Sequence, residues 1–162
     1  MREPLLLLLF LCAVSVVAQS KADTYGNAQA ATTTCPWLTA GTAASALGGE
    51  VAATASVTGS SEGNCRFARR DAATELLEIR VSAMPLAGCP AGSTLLHGIG
   101  SEAQRCRLAT SRGIPEELVS GRVRDIHFTV TMTGHGERRV AKPADSEDNL
   151  ARIADEVAGN LF

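Results

Sequence analysis

Five cysteines, four of them beyond residue 18, punctuate a short chain that holds only one Trp, one Tyr and four Phe, so covalent staples must supplement a core built from Leu, Val, Ile and Ala. The compartment that would oxidise them is signalled upstream. Residues Leu5–Val17 form a nearly unbroken apolar run behind Arg2, and Val16-Val17-Ala18 places modest side chains at the −3 and −1 positions of a cleavage site. A membrane span needs roughly 20 apolar residues, so residues 1–18 read as a secretory signal peptide. The expected destination is the periplasm or the medium. Cys12 leaves with the leader, and the large Leu11 before it does not suit lipid attachment. No second apolar stretch reaches spanning length, so no membrane span is expected. Cys35, Cys65, Cys89 and Cys106 remain to pair.

Four cysteines permit three connectivities, and sequence alone does not select among them. The pairing Cys35–Cys65 with Cys89–Cys106 is favoured because each bridge joins neighbouring elements. In the loop-entropy picture each is worth roughly 3 kcal/mol. A zinc site is the sharper alternative, but no C-x-x-C pair is present and export favours oxidation.

Residues 19–34 are small, polar and aperiodic, and read as a flexible lead-in to a single domain over 35–162. Thr39 is placed to N-cap a short helix over Ala40–Leu47, with Ala40, Ala43, Ala44 and Leu47 on one face and Gly48-Gly49 as its stop. Alternating stretches then follow: 50–58, 64–70, 76–83, 102–108, 118–124 and 126–133. In this reading Cys65, Phe67 and Cys106 point inward. The pair Glu116-Glu117 reads as a turn flanking a strand. Pro143, Ser146 and an acidic first turn open a long helix whose stripe is Leu150, Ile153, Ala154, Val157, Ala158 and Leu161. The pattern predicts a two-layer α+β fold, with an antiparallel sheet of about five to six strands. The short N-terminal and longer C-terminal helices would share one face, and the other face would meet water.

Chemical motifs are sparse. Gly98-Ile99-Gly100-Ser101-Glu102-Ala103 has the letters of a dinucleotide fingerprint, but that mechanism needs a strand before it and a helix after it. Loop-like residues precede it here and a strand pattern follows, so a tight turn is expected. His97, His127 and His135 do not make a metal set by spacing, and His135-Gly136-Glu137 lacks the P-C-x-x-C that zinc deaminases require. No G-x-S-x-G or S-x-x-K is present. The sequence therefore leads us to expect no catalytic residue, no cofactor and no metal.

Charge is unevenly spread. Residues 63–139 carry eleven arginines against eight acidic residues and no lysine, while 144–162 are acidic. With the apolar strand positions inward, Arg66, Arg80, Arg105, Arg107, Arg122 and Arg124 would project together from the open sheet face beside His127, Thr129 and Thr131. Such a face suits carboxylate, phosphate or sulfate groups. The blander reading, which surface ion pairing favours, is a solvated face whose arginines pair with Glu75, Glu102 and Asp125.

Cys-Pro-Trp-Leu-Thr at 35–39, Leu-Gly-Gly at 47–49, Asn64-Cys65-Arg66-Phe67, Gly98 to Ala103, and Gly121-Arg122-Val123 to Phe128 together carry a resemblance. On these motifs the chain resembles a group of small exported bacterial proteins and lipoproteins of unknown function. The resemblance spans most of 35–162 and implies a two-layer α+β fold in an extracytoplasmic bacterial setting. It implies no activity and carries over no functional residue.

The function expected is a non-catalytic exported binding or interaction domain, not an enzyme, whose partner is an anionic ligand or an acidic protein and not nucleic acid. An inhibitor or accessory protein of an extracytoplasmic enzyme is the alternative. A small hydrolase using His127 or His135 as base is a third reading, lacking a visible nucleophile.

Overall fold

Period-2 alternation becomes a sheet because all of the alternating stretches but 102–108 bury one side under a helix. The structure, a computed structural model, describes residues 31–32, 34–109, 113–134 and 143–162. The leader, residues 19–30 of the lead-in and His135 lie outside them. In chain order the elements are β1 (Ala31–Thr32), α1 (Ala40–Leu47), β2 (Val51–Val57), β3 (Gly63–Arg69), β4 (Leu76–Ser82), β5 (Thr94–Leu96), β6 (Glu102–Leu108), β7 (Glu116–Val123), β8 (Ile126–Thr133) and α2 (Pro143–Gly159).

All pairings are antiparallel, and the spatial order is β1-β2-β3-β4-β8-β7-β6-β5. The fold is thus two four-stranded meanders, β1–β4 and β5–β8, joined edge to edge where β4 meets β8. Among the described residues, eight strands replace the five or six expected. The additions are β1 and β5, only two and three residues long, too short to carry a periodic signal. β1 lies within the segment read as lead-in. Glu116 and Glu117 are also inside β7 rather than in a turn before it.

α1 packs over β2, β3 and β4, while α2 packs over β7 and β8. Both feed one buried cluster. Ala43, Ala46 and Leu47 of α1 and Leu150, Ile153, Ala154, Val157 and Ala158 of α2 meet Cys65, Phe67, Leu77, Ile79, Val119, Phe128, Val130 and Met132. The expected stripe of α2 is therefore its buried face. α1 is rotated slightly from expectation, with Ala40 exposed and Ala46 buried. Its caps are as read: Thr39 Oγ1 accepts from the Thr42 amide, and Gly48 adopts the left-handed conformation that ends the helix.

Cys35 is bonded to Cys65 and Cys89 to Cys106. The first bridge holds the Cys35-Pro36-Trp37 segment against β3. Trp37 is only 1% exposed, and its indole Nε1 donates to the Ser60 carbonyl at 3.0 Å. Its own carbonyl accepts from Asn160 Nδ2 at 3.0 Å, beyond the end of α2. One residue, through its indole and its backbone carbonyl, thereby ties the start of the domain to both the β2–β3 turn and the residue after the last helix. Trp37→Ala should leave the fold recognisable but cost about 3–5 kcal/mol in chemical denaturation, the range for deleting a large buried aromatic.

A charged clamp closes the β3–β4 connection. Arg69 pairs in a fork with Asp71, Nε to Oδ1 at 2.6 Å and Nη2 to Oδ2 at 2.7 Å, and reaches Glu75 Oε2 through Nη1 at 2.6 Å. The hydrogen bonds from Arg69 hold the Asp71 carboxyl below the usual carboxylate range. A depressed folded-state value means that the stabilisation is present above the unfolded carboxyl's ordinary value and is lost as pH falls through the folded one. Stability should therefore drop as pH falls below about 4, the unperturbed aspartate range. Asp71→Asn should flatten that acid limb in pH-dependent denaturation, and an unchanged limb would remove Asp71 from the account.

Candidate functional site

The strand registers decide which side chains share the helix-free face. Across β6, β7, β8 and β4, one row reads Glu102, Arg122, His127 and Ser82, and the next reads Gln104, Ser120, Thr129 and Arg80. Cys106 and Leu118 begin a third row, followed by Thr131 and Glu78, with Arg66 opposite Glu78 on β3. Cys106 therefore points away from the helices, contrary to the inward placement expected. Its partner Cys89 brings the loop 83–93 across this face. The Cys89 amide donates to Ser120 Oγ at 3.2 Å. Gly88 passes so close that a Cβ there would sit 2.9 Å from that same hydroxyl oxygen.

This crossing turns a sheet face expected to meet water into a partly roofed one. Leu118 and Thr129 are each only 5% exposed, and Thr129 is the buried polar residue of the described part of the chain. Between loop and sheet lies a recess of about 210 Å³. Leu86, Gly88 and Cys89 form its roof, and Arg122, His127 and Ser120 are among the sheet residues lining it.

The six arginines expected together are divided. Arg66, Arg80 and Arg122 do lie on the helix-free face, along with His127. Arg80 Nε donates to Glu78 Oε1 at 2.6 Å, which also accepts from Asn64 Nδ2 at 2.8 Å. Arg122 Nε donates to Glu102 Oε1 at 2.9 Å, and its Nη1 donates to the Arg124 carbonyl at 2.9 Å. Arg105 and Arg107 are on the opposite face. Arg105 is the register partner of buried Val119, and Arg107 that of Glu117. Both guanidinium groups converge on Glu117, Arg105 Nη2 at 2.6 Å and Arg107 Nε at 3.0 Å. The physical reason is that β6 lies beyond the reach of α2, so long charged side chains can occupy its helix-side positions. Arg124 occupies the tight β7–β8 turn with φ 53°, and its guanidinium stands 5.4 Å from the centroid of the Phe162 ring. The arginine-rich face expected from sequence is therefore a smaller, partly neutralised one.

The other motifs resolve structurally. Gly98 to Ser101 form a turn leading into β6, not a helix. Ile99 is buried, the Ser101 amide donates to the Arg122 carbonyl at 2.7 Å, and Gly100, at φ 57°, lies where a Cβ would stand 2.6 Å from that same oxygen. His97 is exposed after β5, while His127 lines the recess. Among the described residues no group of three or more His, Cys, Asp or Glu side chains is placed to hold a metal ion. No described helix is long and apolar enough to cross a membrane.

Sequence reasoning missed Leu86, Gly88, Gln104 and Ser120 as site residues. The signal available was the Cys89–Cys106 pairing itself, which forces the loop against whichever face carries Cys106. No family model, no curated protein and no solved structure matches this chain. The loop's seating gives a direct check. Ser120→Ala should cost about 0.5–1.5 kcal/mol by deleting the acceptor of the Cys89 amide, and that amide should lose protection in hydrogen exchange while β3 and β4 keep theirs.

Proposed function

We propose that this protein is a non-catalytic binding domain that takes a small anionic group into the recess on its helix-free face. The observation that carries the reading is the pairing of Arg122 with His127 across adjacent strands, in the wall of a recess roofed by the 86–89 segment. Arg122 uses Nε and Nη1 within the protein, and a guanidinium fork has further N–H donors for an oxyanion. Ser120 and Thr129 add hydroxyls at the floor, and the partial roof lowers exposure to screening salt. The two disulfides accord with work in an oxidising compartment, so we place this activity outside the cytoplasm.

The test is calorimetric or NMR titration of the oxidised protein with phosphate, sulfate and small dicarboxylates at low and physiological salt. Binding should weaken with salt and fall by about tenfold or more in Arg122→Gln, the scale of one lost charge-assisted contact. The double variant Arg105→Gln with Arg107→Gln, on the far face, should bind as the wild type does. Absence of binding at low salt, or equal loss in both variants, would sink the assignment.

A further inference from the structure

We propose that the Cys89–Cys106 disulfide is a local redox latch, and that its reduction releases the 83–93 loop and dismantles the recess while the two-layer fold persists. The two bridges sit in different surroundings. Cys65 is 0% exposed inside the core, and Cys35 leads directly into the buried pair Trp37 and Leu38. Were that bridge opened, the Trp37 hydrogen bonds to Ser60 and Asn160 and the packing of α1 would still hold the segment in place.

The loop has no comparable second hold. None of residues 83–93 is buried. Its hydrogen bonds among the described residues are either local, as in the Met84 amide to Ser82 Oγ and the Ser93 hydroxyl to the Pro90 carbonyl, or come from the Cys89 amide to Ser120 Oγ. Pro85, Gly88, Pro90 and Gly92 give the released segment no helix or strand preference of its own. Cys89 and Cys106 are both partly exposed on the helix-free face, where a thiolate can approach.

The chemistry is ordinary exchange. A dithiol, as thiolate, attacks one sulfur of the bridge and forms a mixed disulfide, releasing the other cysteine as thiolate. The second thiol of the same reagent then closes its own disulfide and frees the first cysteine, so two electrons pass from the dithiol to Cys89 and Cys106. Only the functional consequence, loss of anion binding, rests on the binding reading above.

The test reads thiols and needs no ligand. Folded, oxidised protein is titrated with dithiothreitol without denaturant, free thiols are trapped by alkylation and mapped by peptide, and amide exchange and limited proteolysis are followed in parallel. Cys89 and Cys106 should be trapped at reductant concentrations about tenfold or more below those that expose Cys35 and Cys65, since exchange rates follow access to the sulfur. The Cys89 amide should then lose protection and cleavage should appear within 84–93, with β3 and β4 still protected. Simultaneous trapping of all four cysteines, no trapping short of global unfolding, or a loop that stays seated after its bridge opens would each overturn the latch. Cys89→Ser with Cys106→Ser should show the open loop without reductant, and a folded variant with a seated loop counts against it equally. The reductant titration decides should that variant not fold. A failed anion titration of the oxidised protein would remove the ligand reading and leave the thiol result standing.

Discussion

Where β4 meets β8, three pairs of large apolar side chains face each other across adjacent strands: Leu77 with Met132, Ile79 with Val130, and Val81 with Phe128. All six are essentially inaccessible to water. Without this seam the chain would be two separate four-stranded meanders, each with a bare edge and half a core. The helices depend on it as well. α1 lies over the first meander and α2 over the second, and they share a core only because β4 and β8 make the sheet continuous. Burial of this kind is worth roughly 1.5–3 kcal/mol per large side chain, far more than the surface ion pairs elsewhere on the sheet.

Much of this was legible because the seam strands announce themselves. Ile126, Phe128, Val130 and Met132 alternate without exception, as do Leu77, Ile79 and Val81, so their boundaries and faces follow from period alone. α2 was legible for the same reason, through a stripe at helical spacing. β6 was not. Its two faces read Ala103, Arg105, Arg107 and Gln104, Cys106, Leu108, and neither is plainly apolar. A cysteine and a leucine on one of them favour the wrong phase, and a single-step error in phase moves every side chain to the other face. Two of the six arginines expected together were lost to that slip. Arg124 was lost to a tight turn where a strand had been extended by one residue.

The candidate site was less legible than the fold for a related reason. Its sheet half depends on register, which β7 and β8 supply, but its roof depends on a loop with no periodic signal. Leu86 and Gly88 become site residues only because a bridge seventeen positions long in sequence pulls them over Ser120. Composition shows an excess of arginine over residues 63–139 but not how those arginines are distributed between the two faces. Glu102 and Glu117 each meet an arginine across adjacent strands, which only the registers reveal, while Glu78 pairs with Arg80 two residues along its own strand.

Both disulfides close within a single meander: Cys35 to Cys65 in the first, Cys89 to Cys106 in the second, and neither crosses the seam. The order of events during folding follows. Short loops cost the least entropy to close, so each half can oxidise on its own contacts before the halves have met. Joining β4 to β8 requires the whole intervening meander to be in hand, and non-local pairing of this kind is slow. The covalent links of the fold are thus confined within its halves, and the seam between the halves is held by packing and strand pairing alone.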